Sequence, residues 1–335
     1  MATKREIYTI PDNVVKTFNT FSKRNLIPKS ALVTQLLREF FKKNKISYNF
    51  DDFEGTTEEQ PFENISEKER IEKEKCSQDP IYFIETYVKV LNIFSNRIEK
   101  FKMFDFQKDI INQYEENKNN LVLHSRQVGI STITAAYVCC KLLFSNDETI
   151  LYISNDGPCG RKFLAKVGDI LNNLPNFIFD NSYITRNMTK KIQLDNENML
   201  MISSNDTSIP GQAFSMCIID NTAFVKNADK ILKTVIPALK PNGKITLLSC
   251  PSEKDVLFAD YWEKSLNEKN NFNRIKIHWS QRPGYNEGLE ERFDSSGKRF
   301  LWSPWYQNMC EKLENDEQKI KMELEAEFPI KETTI

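Results

Sequence analysis

The stretch Leu121–Thr132, Leu-Val-Leu-His-Ser-Arg-Gln-Val-Gly-Ile-Ser-Thr, constrains the fold more than any other part of this chain. Leu121 to Leu123 read as a buried strand, Gly129 permits a tight turn, and Ser131-Thr132 open an apolar helix running through Phe144. A strand, a glycine turn and a helix N-terminus make the setting in which backbone N–H groups and a helix dipole meet phosphate. A Walker A loop adds a lysine for charge and a Ser/Thr hydroxyl for Mg²⁺. Here Ile130 stands at the lysine position. The sequence therefore predicts a phosphate-type loop without its usual cation.

The same alternation continues downstream. Strand candidates are Leu121–His124, Thr149–Ser154, Met199–Ser203, Met216–Asp220, Lys244–Ser249 and Asn273–His278, with helices Thr132–Phe144, Arg161–Asn172 and Asp229–Val235 between them. Short apolar runs separated by helices are the sequence form of a parallel sheet covered on both faces. The expected fold class is α/β: a mostly parallel sheet of the P-loop NTPase type with helices on both faces, plus a small N-terminal strand-helix-helix module. Ligands in such sheets collect at the carboxyl ends of the strands. Four polar groups fall there: Ser125 to Ser131, Ser154-Asn155-Asp156, Asp220-Asn221 and Ser249-Cys250-Pro251.

Residues 1–46 read as a separate module. Arg5 to Ile10 form a strand candidate ending at Pro11, Val14, Val15, Phe18 and Phe21 recur at helical spacing, and Ser30 caps a second helix carrying Leu32, Val33, Leu36, Leu37, Phe40 and Phe41. Strand, helix, turn, helix resembles the ribbon-helix-helix fold, which would turn Arg5, Ile7 and Thr9 toward DNA. A helical dimerisation or docking appendage stands beside that reading. Residues 47–78, rich in Asp51, Asp52, Glu54, Glu58, Glu59, Glu63, Glu67 and Glu69, read as a polar, acidic linker. From Asp79-Pro80 a denser domain begins, with Phe83, Ile84, Tyr87, Val88 and Leu91 as one helical stripe, and it extends through residue 335.

Composition bounds the partners. Lys+Arg (46) and Asp+Glu (47) nearly cancel, so any nucleic-acid surface must come from local clustering. No apolar run approaches the roughly 20 residues needed to span a bilayer, and no signal core follows the N-terminus, which predicts an intracellular protein without a membrane partner. Seven cysteines without Cys-x-x-Cys spacing predict reduced, packed thiols.

Taken in order, these residues resemble the large terminase subunits of tailed phages, which couple ATP hydrolysis to pumping DNA into the capsid. The resemblance covers about residues 79 to 330. It rests on Phe106-Gln107, on Ser125-Arg126-Gln127-Val128-Gly129, and on Ile218-Ile219-Asp220 followed by Ala223-Phe224 as Walker B. Further matches are Ser249-Cys250-Pro251, His278-Trp279 with Pro283, and the closing Trp305-Tyr306 through Glu323 and Phe328. It implies ATP and Mg²⁺ as cofactors. Phe106 and Gln107 would meet the adenine, with Ser125, Arg126, Gln127, Gly129, Ser131 and Thr132 around the phosphates. Ser131 and Asp220 would hold Mg²⁺, and Ser249 and Pro251 would form the segment coupling hydrolysis to movement. Implied partners are double-stranded DNA, the phage portal, the small terminase subunit and a separate nuclease subunit. An oligomer in the host cell cytoplasm is the implied state.

Departures from the family pattern fall where the chemistry lies. The family's two lysine placements hold Ile130 and His124, leaving Arg126 as the loop's cation. The carboxylate expected after the Walker B aspartate is Asn221, and an amide takes no proton. An expected Arg-Gly pair is Pro210-Gly211. No catalytic residue is therefore assigned, and impaired hydrolysis is expected, since losing a positioned acid or base lowers rate by ~10²–10⁴. Because the resemblance ends near residue 330 and takes in no nuclease domain, no cutting activity is expected either. A catalytically silent DNA-binding or assembly factor on the same fold is the competing reading, in which Arg126 and Gln127 only cap a helix and Asp220 is an ordinary strand-end carboxylate. His124, with an ordinary pKa near ~6.5, is expected to be mostly neutral. Lys190-Lys191 and the Arg161/Lys162/Lys166 face read first as solvated charge.

Overall fold

The computed structural model describes residues 66–92, 95–179, 190–204, 211–253, 256–294 and 297–329, and the backbone of 184–188. The chain divides into two units, Met1–Glu69 and Arg70–Ile335. The expected strand-helix-helix module at 1–46, and the linker as far as residue 65, lie outside the described residues.

Helix α1 (Glu67–Gln78) occupies the last part of the span expected to be linker. Its start carries a signal that composition hides. Ser66 N–H and Oγ both donate to Glu69 Oε2, at 2.8 and 2.6 Å, and Ser66 Oγ accepts the Glu69 N–H. Ser-x-x-Glu is a capping box, and the Glu- and Lys-rich run behind it has good helix propensity. Helix α2 (Pro80–Tyr87) follows, with Asp79 as N-cap accepting the Tyr82 N–H at 2.9 Å. The stripe expected to reach Leu91 stops at Tyr87. Val88 turns extended and its carbonyl accepts the Phe101 N–H, so a hairpin of β1 (Lys89–Asn92) and β2 (Arg97–Lys100) replaces the next helical turn and leaves Leu91 58% exposed.

The main sheet has eight strands. After helix α3 (Asp105–Glu116) come β3 (Asn119–His124), helix α4 (Ile130–Phe144), β4 (Thr149–Ser154), helix α5 (Gly157–Asn172), β5 (Ile184–Met188), β6 (Lys191–Leu194), β7 (Met199–Ser204) and β8 (Phe214–Ile219). Helix α6 (Ala228–Val235), β9 (Leu239–Ser249), helix α7 (Leu257–Leu266) and β10 (Asn273–Ile277) complete it. The order is β10-β3-β9-β8-β4-β7-β6-β5, with the first five pairings parallel and the last two antiparallel. Leu121 and Leu123 pack on the face covered by α6 and α7, while Val122 packs on the face covered by α2 to α5. Both faces are buried, which is why these strands read as unbroken apolar runs.

A third cluster lies after β10. Strands β11 (Glu290–Phe293) and β12 (Arg299–Trp302) form a hairpin, and helices α8 (Pro304–Lys312) and α9 (Glu317–Glu323) follow. Buried Trp279 stacks on Tyr306 at 4.9 Å, and Trp305 stacks on Tyr285 at 3.7 Å. No helix of the described residues is long and apolar enough to cross a membrane.

Candidate functional site

The strand order brings the expected residues together. Adjacent strands β3, β9, β8 and β4 lead, in that sequence across the sheet, directly into Ser125, Cys250, Asp220 and Asn155. The loop from β3 to α4 is fastened by the C-terminal segment, a feature no local pattern announces. Ser125 N–H donates to Ile277 O at 2.9 Å, and its buried Oγ donates to Leu324 O. Arg126 N–H donates to Glu323 O at 2.8 Å, while its guanidinium pairs with Glu323 Oε1 at 3.3 Å. Gln127 adopts φ 61°, and its carbonyl accepts from the Arg282 guanidinium and, at 3.4 Å, from Tyr285 OH. Arg126, the cation expected to serve phosphate, is thus directed to a carboxylate. Gln127 acts through its backbone.

Gly129 has φ 91° and caps α4, and a Cβ there would stand 2.9 Å from Gln107 Nε2. The glycine is required twice, by the left-handed backbone and by the close amide. Gln107 is 1% exposed, its Oε1 accepting the Phe104 N–H at 3.0 Å, so it braces the start of α3 and the floor of the loop. Phe106 is 4% exposed and packs in the core with Phe104. Ile130, equally buried, anchors the first turn of α4 in the same core. Ser131 and Thr132 are half-buried beside it, and Thr132 Oγ1 accepts from Lys166 Nζ at 3.0 Å.

Asp220 follows β8 and is 8% exposed. Its Oδ2 accepts the Tyr152 hydroxyl and its Oδ1 accepts the Asn221 N–H at 2.9 Å. Tyr152 stacks on Phe163 of α5 at 3.7 Å, and burial together with the Asp220 charge pushes its phenol well above the ordinary range. Asn221 sits in the left-handed region at φ 53°, which Asn tolerates, and its carbonyl accepts the Phe224 N–H. Ser249 Oγ donates to Cys250 O at 2.7 Å and accepts the Ala223 N–H at 3.1 Å, so one hydroxyl links the tips of β8 and β9 beside buried Pro251. Among the described residues, no group of three or more His, Cys, Asp or Glu is placed to hold a metal.

His124 ends β3 with Nδ1 3.0 Å from Ser125 O and 3.5 Å from Cys250 Sγ, and its buried Nε2 has no partner among the described residues. Burial lowers its pKa, but Cys250, the Ser125 carbonyl and the Asp220 charge outweigh burial and hold it above 6.5. The imidazole is more cationic than its ordinary pKa suggests. His278 follows β10 at the same edge, beside Ser125, and is held with its Nε2 2.9 Å from Glu325.

Sequence reasoning read Lys166 as solvated charge, whereas it is half-buried against Thr132, and it gave no site role to Tyr152, Arg282 or Glu323. Lys166 carried a signal, because a lysine between Phe163 and Val167 interrupts an otherwise apolar helical stripe. The other three are placed by tertiary contacts alone. Pro210 is outside the described residues.

Residues 121–333 match the family described as "Terminase large subunit, T4likevirus-type, N-terminal". Among solved structures, the large terminase of bacteriophage HK97 superposes with a TM-score of 0.56 at 13% identity, covering 75% of this chain and 55% of that one. The large terminase ATPase domain of Thermus phage P74-26 gives a TM-score of 0.46 at 14% identity, covering 68% of this chain and 95% of that one. A large terminase from a thermophilic bacteriophage, solved in complex with ADP, gives 0.46 at 11% identity over 62% of this chain and 50% of that one. The chain thus spans about half the length of the HK97 protein. The HK97 superposition shows a shared fold, and the family match takes in more than half of the 335 residues, including the loop, Asp220 and Ser249. By that match the chain belongs to the terminase large subunit family, T4likevirus type, and its sheet is the family's N-terminal domain.

Proposed function

We propose that this chain binds ATP with Mg²⁺ at the carboxyl ends of β3, β9 and β8 and serves as the ATPase-fold domain of a phage DNA-packaging assembly, with weak hydrolysis. The observation that carries this reading is the juxtaposition of three neighbouring strand ends: Gly129 at the mouth of α4, Ser249 beside it, and Asp220 beyond. The first N–H groups of α4 have no partner within the helix and face the direction its dipole favours for anions. The residues present fit a nucleotide's phosphates: a left-handed glycine turn, two hydroxyls, and an imidazole Nε2 left without a partner. Ser131 and Asp220 would hold Mg²⁺, which when bound supplies positive charge to the phosphate oxygens. Asp220 reaches that role already oriented by the Tyr152 hydroxyl and the Asn221 N–H.

Weak hydrolysis follows from Asn221, whose amide cannot accept a proton from water, and from Ile130 and Arg126, which leave the loop without a lysine and with its arginine paired to Glu323. Double-stranded DNA, the portal, the small terminase subunit and copies of this chain are the proposed partners, in the host cytoplasm. The same replacements support a second reading, a silent assembly or DNA-binding factor on the ATPase fold.

Calorimetric titration of Mg²⁺-ATP into the purified chain, followed by phosphate release with DNA present, separates the two. Binding with slow, DNA-stimulated release supports the first reading, and binding without turnover supports the second. Absence of binding overturns the nucleotide site itself.

A further inference from the structure

Helix α5 carries Arg161, Lys162 and Lys166, and only the first two are exposed. Lys166 falls inside the stripe Phe163, Val167, Ile170, by which α5 packs into the core. Its ammonium reaches toward the first turn of α4, where Thr132 Oγ1 accepts one N–H at 3.0 Å. Among the described residues no carboxylate is in ion-pair contact with it. Asp220 acts on it only from longer range, and burial holds its pKa below 10.5 against that charge. An ammonium has three donors, and Thr132 takes one. A half-buried cation with a single hydroxyl partner is an incomplete arrangement, because desolvated charge is costly unless a counter-charge meets it.

Two other half-buried lysines do have counter-charges in contact, Lys141 2.6 Å from Glu115 and Lys240 2.8 Å from Asp147, while Lys244 is held by the carbonyls of Tyr114 and Glu115. Lys166 differs in facing the mouth of a helix, next to the loop from which the expected lysine is missing. We propose that Lys166 is this chain's phosphate cation, delivered by α5 to Thr132 in place of the side chain that Ile130 lacks, and that its ligand is the polyphosphate of a nucleotide. The inference rests on the nucleotide-binding reading above and adds the residue that neutralises the ligand. It also accounts for how the loop dispenses with Arg126, which Glu323 occupies.

The test is calorimetric titration of Mg²⁺-ADP, and separately of inorganic pyrophosphate, into the wild-type chain, Lys166→Met and Lys166→Arg, with thermal unfolding run on each. Charge-assisted hydrogen bonds to an anion predict a loss of about 10- to 100-fold in affinity for both ligands in Lys166→Met, with partial recovery in Lys166→Arg. Unchanged affinity in Lys166→Met overturns this inference and leaves nucleotide binding standing. A wild-type chain that binds neither ligand overturns both. Should Lys166→Met fail to fold, amine-reactive labelling of the wild-type chain decides. Protection of Lys166 by Mg²⁺-ADP supports the assignment, and equal labelling with and without nucleotide overturns it.

Discussion

The two ends of the main sheet are built from the same strands and treat charge in opposite ways. At the amino ends of β4, β8 and β9 lies a cleft of ≈ 450 Å³, lined by Lys141, Asp147, Glu148, Ser215, Lys240 and Lys244. Its ions are satisfied within the chain: Lys141 by Glu115, Lys240 by Asp147, and Lys244 by the carbonyls of Tyr114 and Glu115. At the carboxyl ends the groups are left partly open. Lys166 has a hydroxyl, Asp220 has a phenol and a backbone N–H, and His124 Nε2 has nothing among the described residues. A cleft by itself therefore does not mark the ligand site proposed here. Charge that the protein does not neutralise for itself marks the end where a ligand is proposed.

The sharpest way to break this contrast is to remove one carboxylate from each end. Asp220→Ala should weaken Mg²⁺-nucleotide binding by about 100-fold or more, the scale of losing a charged ligand contact, while Asp147→Ala should leave it within about 2-fold. Equal effects in calorimetry would falsify the distinction. Backbone supplies the next largest effect. Gly129→Ala forces a side chain into φ 91° and toward Gln107 Nε2, and should destabilise by about 1–3 kcal/mol. Gly211→Ala, with nothing within 4 Å of its Cβ, should be near neutral in the same denaturant titration.

Smaller still is Tyr152→Phe, which deletes the hydroxyl from Asp220 while keeping the stack on Phe163. A loss of about 1–2 kcal/mol is expected, together with a few-fold drop in nucleotide affinity; an unchanged affinity would show that the phenol does not orient the carboxylate. The slightest effect lies in acid. Burial raises the pKa of Glu325, but hydrogen bonds from His278, Tyr306 and Trp279 bring it below 4.5. At the other end burial raises that of Glu115, and Lys141, Tyr137 and Lys244 bring it below 4.5. A carboxylate depressed in the folded state contributes stability above pH ~4.5 that is lost as pH falls through its folded pKa. Glu325→Gln and Glu115→Gln should each flatten part of the stability loss below about pH 4.5, read by urea unfolding at stepped pH, and no change in either slope would remove that carboxylate from the acid response.

Much of the fold was legible because strands buried on both faces announce themselves. Thr149–Ser154 was read to the residue, and Leu121–His124 lacked only the two asparagines that open β3. Short amphipathic pieces were not legible. β5 and β6 lie at the sheet's antiparallel edge, and the hairpins β1/β2 and β11/β12 owe their pairing to partners rather than to propensity. Of the residues in the proposed site, those placed by local backbone lie where the sequence put them: Gly129 at its turn, Ser249 and Asp220 at their strand ends. Residues set by distant contacts were not. Arg126 reads as a free loop cation until Glu323, nearly two hundred positions later, is seen to hold it. Lys166 was visible as a lysine but not as an inward one, since only the packing of α5 on β4 and α4 shows which way its stripe faces.

The fastening of the loop also sets a schedule. Ser125 is held through a contact 199 residues downstream, at Leu324, and its neighbour Arg126 by Glu323. Translation therefore delivers β3 and α4 long before it delivers what positions the turn between them, and a nascent chain paused short of α9 has the strand and the helix but not the anchor. Closing contacts of such long sequence separation is entropically costly. The turn proposed to take nucleotide therefore has no anchor of this kind until residues 323 and 324 have been made.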